Sequence, residues 1–159
     1  LMSYSPAFSN PPVDEVAIGF GFHAPSEITV LDVAGLRDNF RALGFTQMQL
    51  HQPFPGRTSR VLQNINFQIK MVPGFPRFWF IHESNEYIVQ IQQDKFVVNW
   101  RKSDNPDNKY IGFNQIQRKF WELVSIFQEW YSQHSKNSMN IKELELTYYN
   151  SIPLSDMTA

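Results

Sequence analysis

Hydrophobic and polar residues alternate with a period of two along most of this chain and switch to a helical period in two stretches. The first alternating run is 13–22, VDEVAIGFGF. Val16, Ile18, Phe20 and Phe22 share one bulky face, while Ala17, Gly19 and Gly21 leave the other nearly bare. Such a run predicts a strand, because successive strand side chains point to opposite faces. Glycine within a strand marks a bulge or a close approach by a backbone, a helix or a ligand. A helix packed tightly on the bare face is the expectation here, with a ligand as the alternative.

Over 32–43 the period changes: Leu36, Phe40 and Leu43 fall on one stripe and Gly44 follows as a stop, which predicts a helix. Alternation returns over 46–51 (Met48, Leu50) and 59–71 (Ile65, Phe67, Ile69), predicting two strands. Residues 73–76, PGFP, make a rigid turn into 77–102, RFWFIHESNEYIVQIQQDKFVVNWRK, which reads as three successive strands. Phe78, Phe80 and His82 lie on one face of the first and Arg77, Trp79 and Ile81 on the other; Ser84-Asn85 and Gln93-Asp94 supply the turns. After a loop at 103–113, the stretch 114–134 repeats Ile116, Phe120, Leu123, Phe127 and Trp130 or Tyr131 at helical spacing. The last run, 141–149, is expected to turn Leu144, Leu146 and Tyr148 inward and Glu143, Glu145 and Thr147 outward.

The order β-α-β-β-β-β-β-α-β, with its consecutive hairpins, predicts an α+β fold: a largely antiparallel sheet with two helices packed on one face. A flexible lead-in is expected over 1–12, a single α+β domain over 13–152 and a frayed tail over 153–159. A chain of 159 residues is long enough to bury a real core, and 15% aromatic content argues for ring packing within it.

Charge and composition narrow the chemistry. A net charge of −1 supplies no general attraction to nucleic acid or anionic membrane. The absence of cysteine excludes disulfides, thiolate catalysis and Cys-ligated metals. His23, His51, His82 and His134 lack the spacing of a ligand pair, so neither metal nor cofactor is expected. No apolar run approaches the roughly 20 residues of a membrane span, and the start lacks a basic-then-apolar leader. A soluble cytoplasmic protein is the expectation.

The candidate binding surface follows from strand parity. If Tyr87, Val89, Ile91, Phe96, Val98 and Trp100 point into the core, then Gln90, Gln92, Lys95, Asn99 and Arg101 share the opposite face. Amides and a guanidinium offer paired donors and acceptors suited to a base edge, a peptide backbone or a carboxylate. A plainly solvated sheet face is the alternative. Trp79 and Tyr149 would add stacking platforms for single-stranded nucleic acid. Asp14 and Glu15 are expected to bond backbone amides or pair with Arg77 or Arg101, and no catalytic residue is assigned.

Pro12, Val13, Glu15, Arg77, Gln90, Gln92, Asn99, Trp100, Arg101, Lys102, Tyr149 and Asn150 carry a resemblance that covers most of the chain. The Q-x-Q…F-x-x-N-W-R-K motif resembles an uncharacterised prokaryotic family of sporadic genomic distribution. The resemblance implies an α+β domain, a mobile or defence-associated setting, and relatives that continue into a further α+β region. It implies no activity.

The leading expectation is a non-enzymatic binding or protein-interaction module that pairs its sheet with another chain or presents the Gln/Asn/Arg face to a partner. Self-association as a homodimer is expected, anchored by Trp130-Tyr131 and Tyr148-Tyr149. One alternative is a nucleic-acid-associated protein using Lys95, Arg101, Lys102 and Trp79. Another is an enzyme that holds a small ligand against Gly19 and Gly21, with Glu15 and Arg77 as its polar groups.

Overall fold

The bulky and bare faces of the first strand decide the layering. In a computed structural model that describes residues 11–53, 75–103 and 109–151, β1 (Val13–Phe22) lies one place in from the edge of a six-stranded sheet. The other strands are β2 (Gln47–His51), β3 (Arg77–Ile81), β4 (Tyr87–Gln92), β5 (Lys95–Arg101) and β6 (Ile141–Asn150). Their order is β2-β3-β4-β5-β1-β6, and every pairing is antiparallel. The strand expected over 59–71 lies outside the described residues, as do 1–10 and 152–159.

The helices α1 (Val30–Gly35), α2 (Arg37–Arg41) and α3 (Phe113–His134) cover one face, giving the α+β two-layer architecture. The first begins earlier than its apolar stripe because Thr29 and Asp32 form a capping box, the Thr29 hydroxyl accepting from Asp32 N–H and the Asp32 carboxylate accepting from Thr29 N–H. A bond from the Thr29 hydroxyl to the Asp32 carboxylate at 2.6 Å, and then the one from Thr29 N–H, hold that carboxyl below its ordinary range. Bonds from Leu36 N–H to the Asp32 carbonyl and from Phe40 N–H to the Leu36 carbonyl, both 3.3 Å, carry α1 into α2. Gly44, at φ +89°, ends the pair while Phe45 N–H reaches back to the Phe40 carbonyl at 3.2 Å. Among the described residues no helix is long and apolar enough to cross a membrane.

Phe20 and Phe22 meet α3 across the core. Phe20 stacks on Phe96 with ring centroids 5.4 Å apart, Phe96 stacks on Phe127 at 4.7 Å, and Phe40 joins from α2 against Phe80 at 5.2 Å. Burial of each ring contributes roughly 1.5–3 kcal/mol. Trp130 and Tyr131 belong to this core at 4% exposure each, so the interface role expected for them is withdrawn: α3 turns both rings onto the sheet.

All three helices lie on the Phe20 face, so among the described residues no helix packs on the glycines. The close approach there is made by β5 and β6. A Cβ at Gly19 would sit 2.6 Å from the Phe96 carbonyl oxygen and 2.8 Å from Val97 Cγ2, and one at Gly21 would meet the Glu143 side chain at 2.8 Å. The glycines admit neighbouring strands, and this space is filled without a ligand.

β6 departs further from expectation. Leu144, Leu146 and Tyr148 do share the helix face, because they are the Cα partners of Phe20, Ile18 and Val16. They are nevertheless exposed, by 82%, 53% and 41%. Parity sets the face, but β6 is the outermost of the described strands, and the helix layer covers it little beyond the contact of Phe113 with Tyr148. The backbone phase follows from the other side of β1. Phe22 N–H donates to the Asp94 carbonyl and Lys102 N–H to the Asp14 carbonyl, so the even positions of β1 bond to β5. Its odd positions therefore bond to β6, at Glu143, Glu145, Thr147 and Tyr149. Leu144, Leu146 and Tyr148 direct their N–H and C=O groups away from the sheet.

Two glycine substitutions test the layering. Gly19→Ala is expected to destabilise by about 1–3 kcal/mol through overpacking. Gly35→Ala, with nothing within 4 Å of the added carbon, is expected to be neutral or to stabilise by up to about 1 kcal/mol. Urea unfolding measures both. A pH series gives a second test. Burial, then the Glu86 and Glu122 carboxylates, push the Tyr87 phenol from 10.0 to about 12. Burial, then a hydrogen bond with Tyr148, push Tyr110 to about 12. The folded chain keeps protons that the unfolded chain releases, so stability from these groups is intact below pH 10 and is lost as pH rises toward 12. Tyr87→Phe is expected to flatten part of that loss.

Candidate functional site

The helix-free face is built from alternate residues of all six strands. β4 contributes Gln90 and Gln92, β5 contributes Lys95, Val97, Asn99 and Arg101, and β1 contributes Glu15 beside Ala17, Gly19 and Gly21. Strand parity thus places the expected polar residues together. A solvated face does not describe the amides: Gln90, Gln92 and Asn99 are 7%, 8% and 6% exposed.

Buried amides need partners, and here they form a row across three strands. Asn99 Nδ2 donates to a Glu15 carboxylate oxygen, and Gln90 Nε2 donates to Asn99 Oδ1 at 2.6 Å. The carboxylate fixes the direction. It can only accept, so Asn99 must turn its amide nitrogen toward Glu15 and its carbonyl toward Gln90. With its Nε2 turned to Asn99, Gln90 leaves its own carbonyl oxygen outside the row. Glu15 was expected to bond a backbone amide or to pair with Arg77 or Arg101; it accepts from the Asn99 side-chain amide instead. Arg101 lies at the end of β5, where its Nε donates to the Asn85 carbonyl at 2.7 Å.

At the far end of the row Gln90 is the cross-strand partner of Trp79. Gln90 Oε1 and Trp79 Nε1 are both buried, and neither has a hydrogen-bond partner among the described residues. An acceptor and a donor therefore stand on neighbouring strands, a pattern complementary to an amide-like group or to one bridging water. His51 lies over the Trp79 ring at 4.0 Å between centroids, and the Arg77 guanidinium lies 5.4 Å from it. Burial lowers the pKa of that guanidinium.

Lys95 and Gln92 lie nearer the β4–β5 turn. Lys95 Nζ is 3.1 Å from Glu145 and 3.7 Å from Glu143, reaching both across β1, while Gln92 donates to Asp94 at 2.8 Å. Gly21 makes the reach geometrically open, since a larger side chain there would stand between Lys95 and Glu143, its two cross-strand neighbours. Trp79 and Tyr149 do not form a joint platform, because β3 and β6 are four strand spacings apart, roughly 19 Å. Among the described residues no three of His, Asp and Glu converge as metal ligands would.

Sequence parity alone could not find the Glu15–Asn99–Gln90 row. Glu15 lies 84 residues from Asn99, and the contacts of all three depend on the register Ala17 to Asn99 and Gln90 to Val97. What the sequence did show was amides sharing one strand face, with a solvated face as the alternative. No family model, curated protein or solved structure matches the chain.

The row is tested by Asn99→Asp, which sets a carboxylate against Glu15 and breaks the donor to it. A loss of about 1–3 kcal/mol is expected at neutral pH. The loss comes from repulsion between two neighbouring carboxylates and from removal of the donor that held Glu15. Glu15→Gln keeps an acceptor oxygen and is expected to cost less. Chemical denaturation at neutral pH separates the two.

Proposed function

We propose that this chain is a non-enzymatic protein-interaction module that docks a partner strand along β6. The observation that carries the reading is the coincidence, at Leu144, Leu146 and Tyr148, of exposed apolar side chains with outward-directed backbone N–H and C=O groups. An open edge of this kind is a template for another strand: main-chain bonds supply affinity and alternate side chains supply selectivity. Tyr149 on the other face, at 55% exposure, adds a second aromatic contact. The opposite edge is a poorer template. β2 has five residues against ten in β6, and Gln49 and His51 flank its exposed Leu50.

Burial of Gln90, Gln92 and Asn99 favours this mode over presentation of the amide face to a macromolecule. The nucleic-acid reading loses its cations in part, because Lys95 is committed to Glu143 and Glu145 and the Arg101 Nε to a backbone carbonyl. We also propose kinship with the uncharacterised prokaryotic family: Glu15, Gln90 and Asn99, three residues that carry the resemblance, are the ones joined in the buried row.

The test is co-purification of tagged wild type and of the Leu144→Lys/Leu146→Lys variant, with nuclease present. Wild type is expected to retain a strand-docked protein that the variant loses, with circular dichroism unchanged. Equal recovery by both would sink the reading.

A further inference from the structure

We infer that the strand docked on β6 is β6 of a second copy of this chain, antiparallel to the first about a two-fold axis at Leu146. The inference rests on the strand-docking reading above and names its partner. Three properties of β6 single out that pairing.

The first is backbone phase. Antiparallel neighbours exchange bonds only where both residues point their N–H and C=O groups into the shared edge. In β6 these are Leu144, Leu146 and Tyr148. An axis at Leu146 sets Leu146 opposite its own copy and Leu144 opposite the second Tyr148, so each outward residue meets another outward residue.

The second is the apolar strip. An axis normal to the sheet keeps both helix layers on one side and joins the two Leu144-Leu146-Tyr148 rows into one. That sets side by side the side chains that stand 82%, 53% and 41% exposed in the single chain, each shielding part of the next from water. Phe113 backs Tyr148 at 6.4 Å between ring centroids, so the row is supported from α3.

The third is charge, which decides between registers. Like charges placed directly opposite one another destabilise a strand pair. An axis at Glu145 sets that carboxylate against its own copy at the closest strand separation, about 4.5 Å between Cα atoms. An axis at Leu144 sets Glu143 against Glu145 twice. An axis at Leu146 pairs Glu145 with Thr147 and Glu143 with Tyr149, so each acid meets a hydroxyl. An axis at Thr147 also separates the acids, but it leaves Leu144 opposite Asn150 and uses fewer of the outward backbone groups. Only Leu146 satisfies backbone, apolar strip and charge together.

The chain has no cysteine, so single introduced thiols report the register without background. Under mild oxidation with oxidised glutathione, Leu146→Cys is expected to give mostly covalent dimer. Leu144→Cys and Tyr148→Cys are each expected to stay uncross-linked alone, and to cross-link with one another when mixed. Sedimentation of the wild type is expected to show a dimer at micromolar concentration and Leu146→Lys a folded monomer. Cross-linking strongest at Thr147→Cys, or no stronger at Leu146→Cys than at Leu144→Cys, would overturn the Leu146 register. A wild-type monomer whose captured partner is still lost in Leu144→Lys/Leu146→Lys overturns self-pairing and leaves strand docking standing. A wild-type monomer whose captured proteins ignore that variant overturns both.

Discussion

The packing of β1 between β5 and β6 is the constraint on which the remaining structure depends. At Gly19 the neighbouring backbone comes so close that an added carbon would lie 2.6 Å from the Phe96 carbonyl oxygen. Only glycine fits, so β1 has no bulk on that side and carries all of it, from Val16 to Phe22, on the other. A sheet whose central rows are large on one face and flat on the other can hold its helices on one side only. The Phe20–Phe96–Phe127 stack and the seating of α1 and α2 against Phe80 follow from that asymmetry. So does the polar filling of the flat face, where long side chains cross the shallow rows: Glu143 over Gly21, Lys95 toward Glu145, and the Glu15–Asn99–Gln90 row beside Ala17.

The same constraint shapes the edge. β6 is an edge strand that the helix layer covers little, and it keeps the apolar alternation of a core strand without the full cover of one. Proteins commonly blunt such edges with prolines, bulges or inward-pointing charges. β6 has register shifts only near its ends, between Val13 and Glu15 and between Gly21 and Phe22 on its partner strand, and the span from Glu143 to Tyr149 is regular. Its acidic residues, Glu143 and Glu145, lie on the flat face and are drawn toward Lys95. They leave the apolar side open while restricting which registers another strand can adopt.

Much of the fold was legible in the sequence because period-two alternation is a local signal. It located β1 and β3 to β6 closely, gave α3 within a residue, and assigned each residue of β6 to its correct face. The unread parts are non-local. Whether Leu144 is buried depends on how far α3 reaches across the sheet, which no window of sequence contains. The same holds for Asn99, whose parity predicted the helix-free face while its burial and its bonds to Glu15 and Gln90 depend on register. The bare face of β1 was recognised, but its occupant was expected to be a helix. A glycine reports a close approach without saying which element approaches, and here it was the neighbouring strands. The first helix was expected to start at Asp32, ahead of its stripe of Leu36, Phe40 and Leu43, whereas the Thr29-Asp32 capping box, a local polar signal, marked the true start.

Residue-resolved amide hydrogen exchange across a concentration series tests the central claim most directly, because the two edges of β6 differ residue by residue. In dilute solution Glu143, Glu145, Thr147 and Tyr149 should exchange slowly, bonded to β1, while Leu144, Leu146 and Tyr148 exchange as open amides. On concentration the open set alone should become protected. Exchange at Leu144, Leu146 and Tyr148 that stays fast at every concentration would contradict an edge built to pair with its own copy.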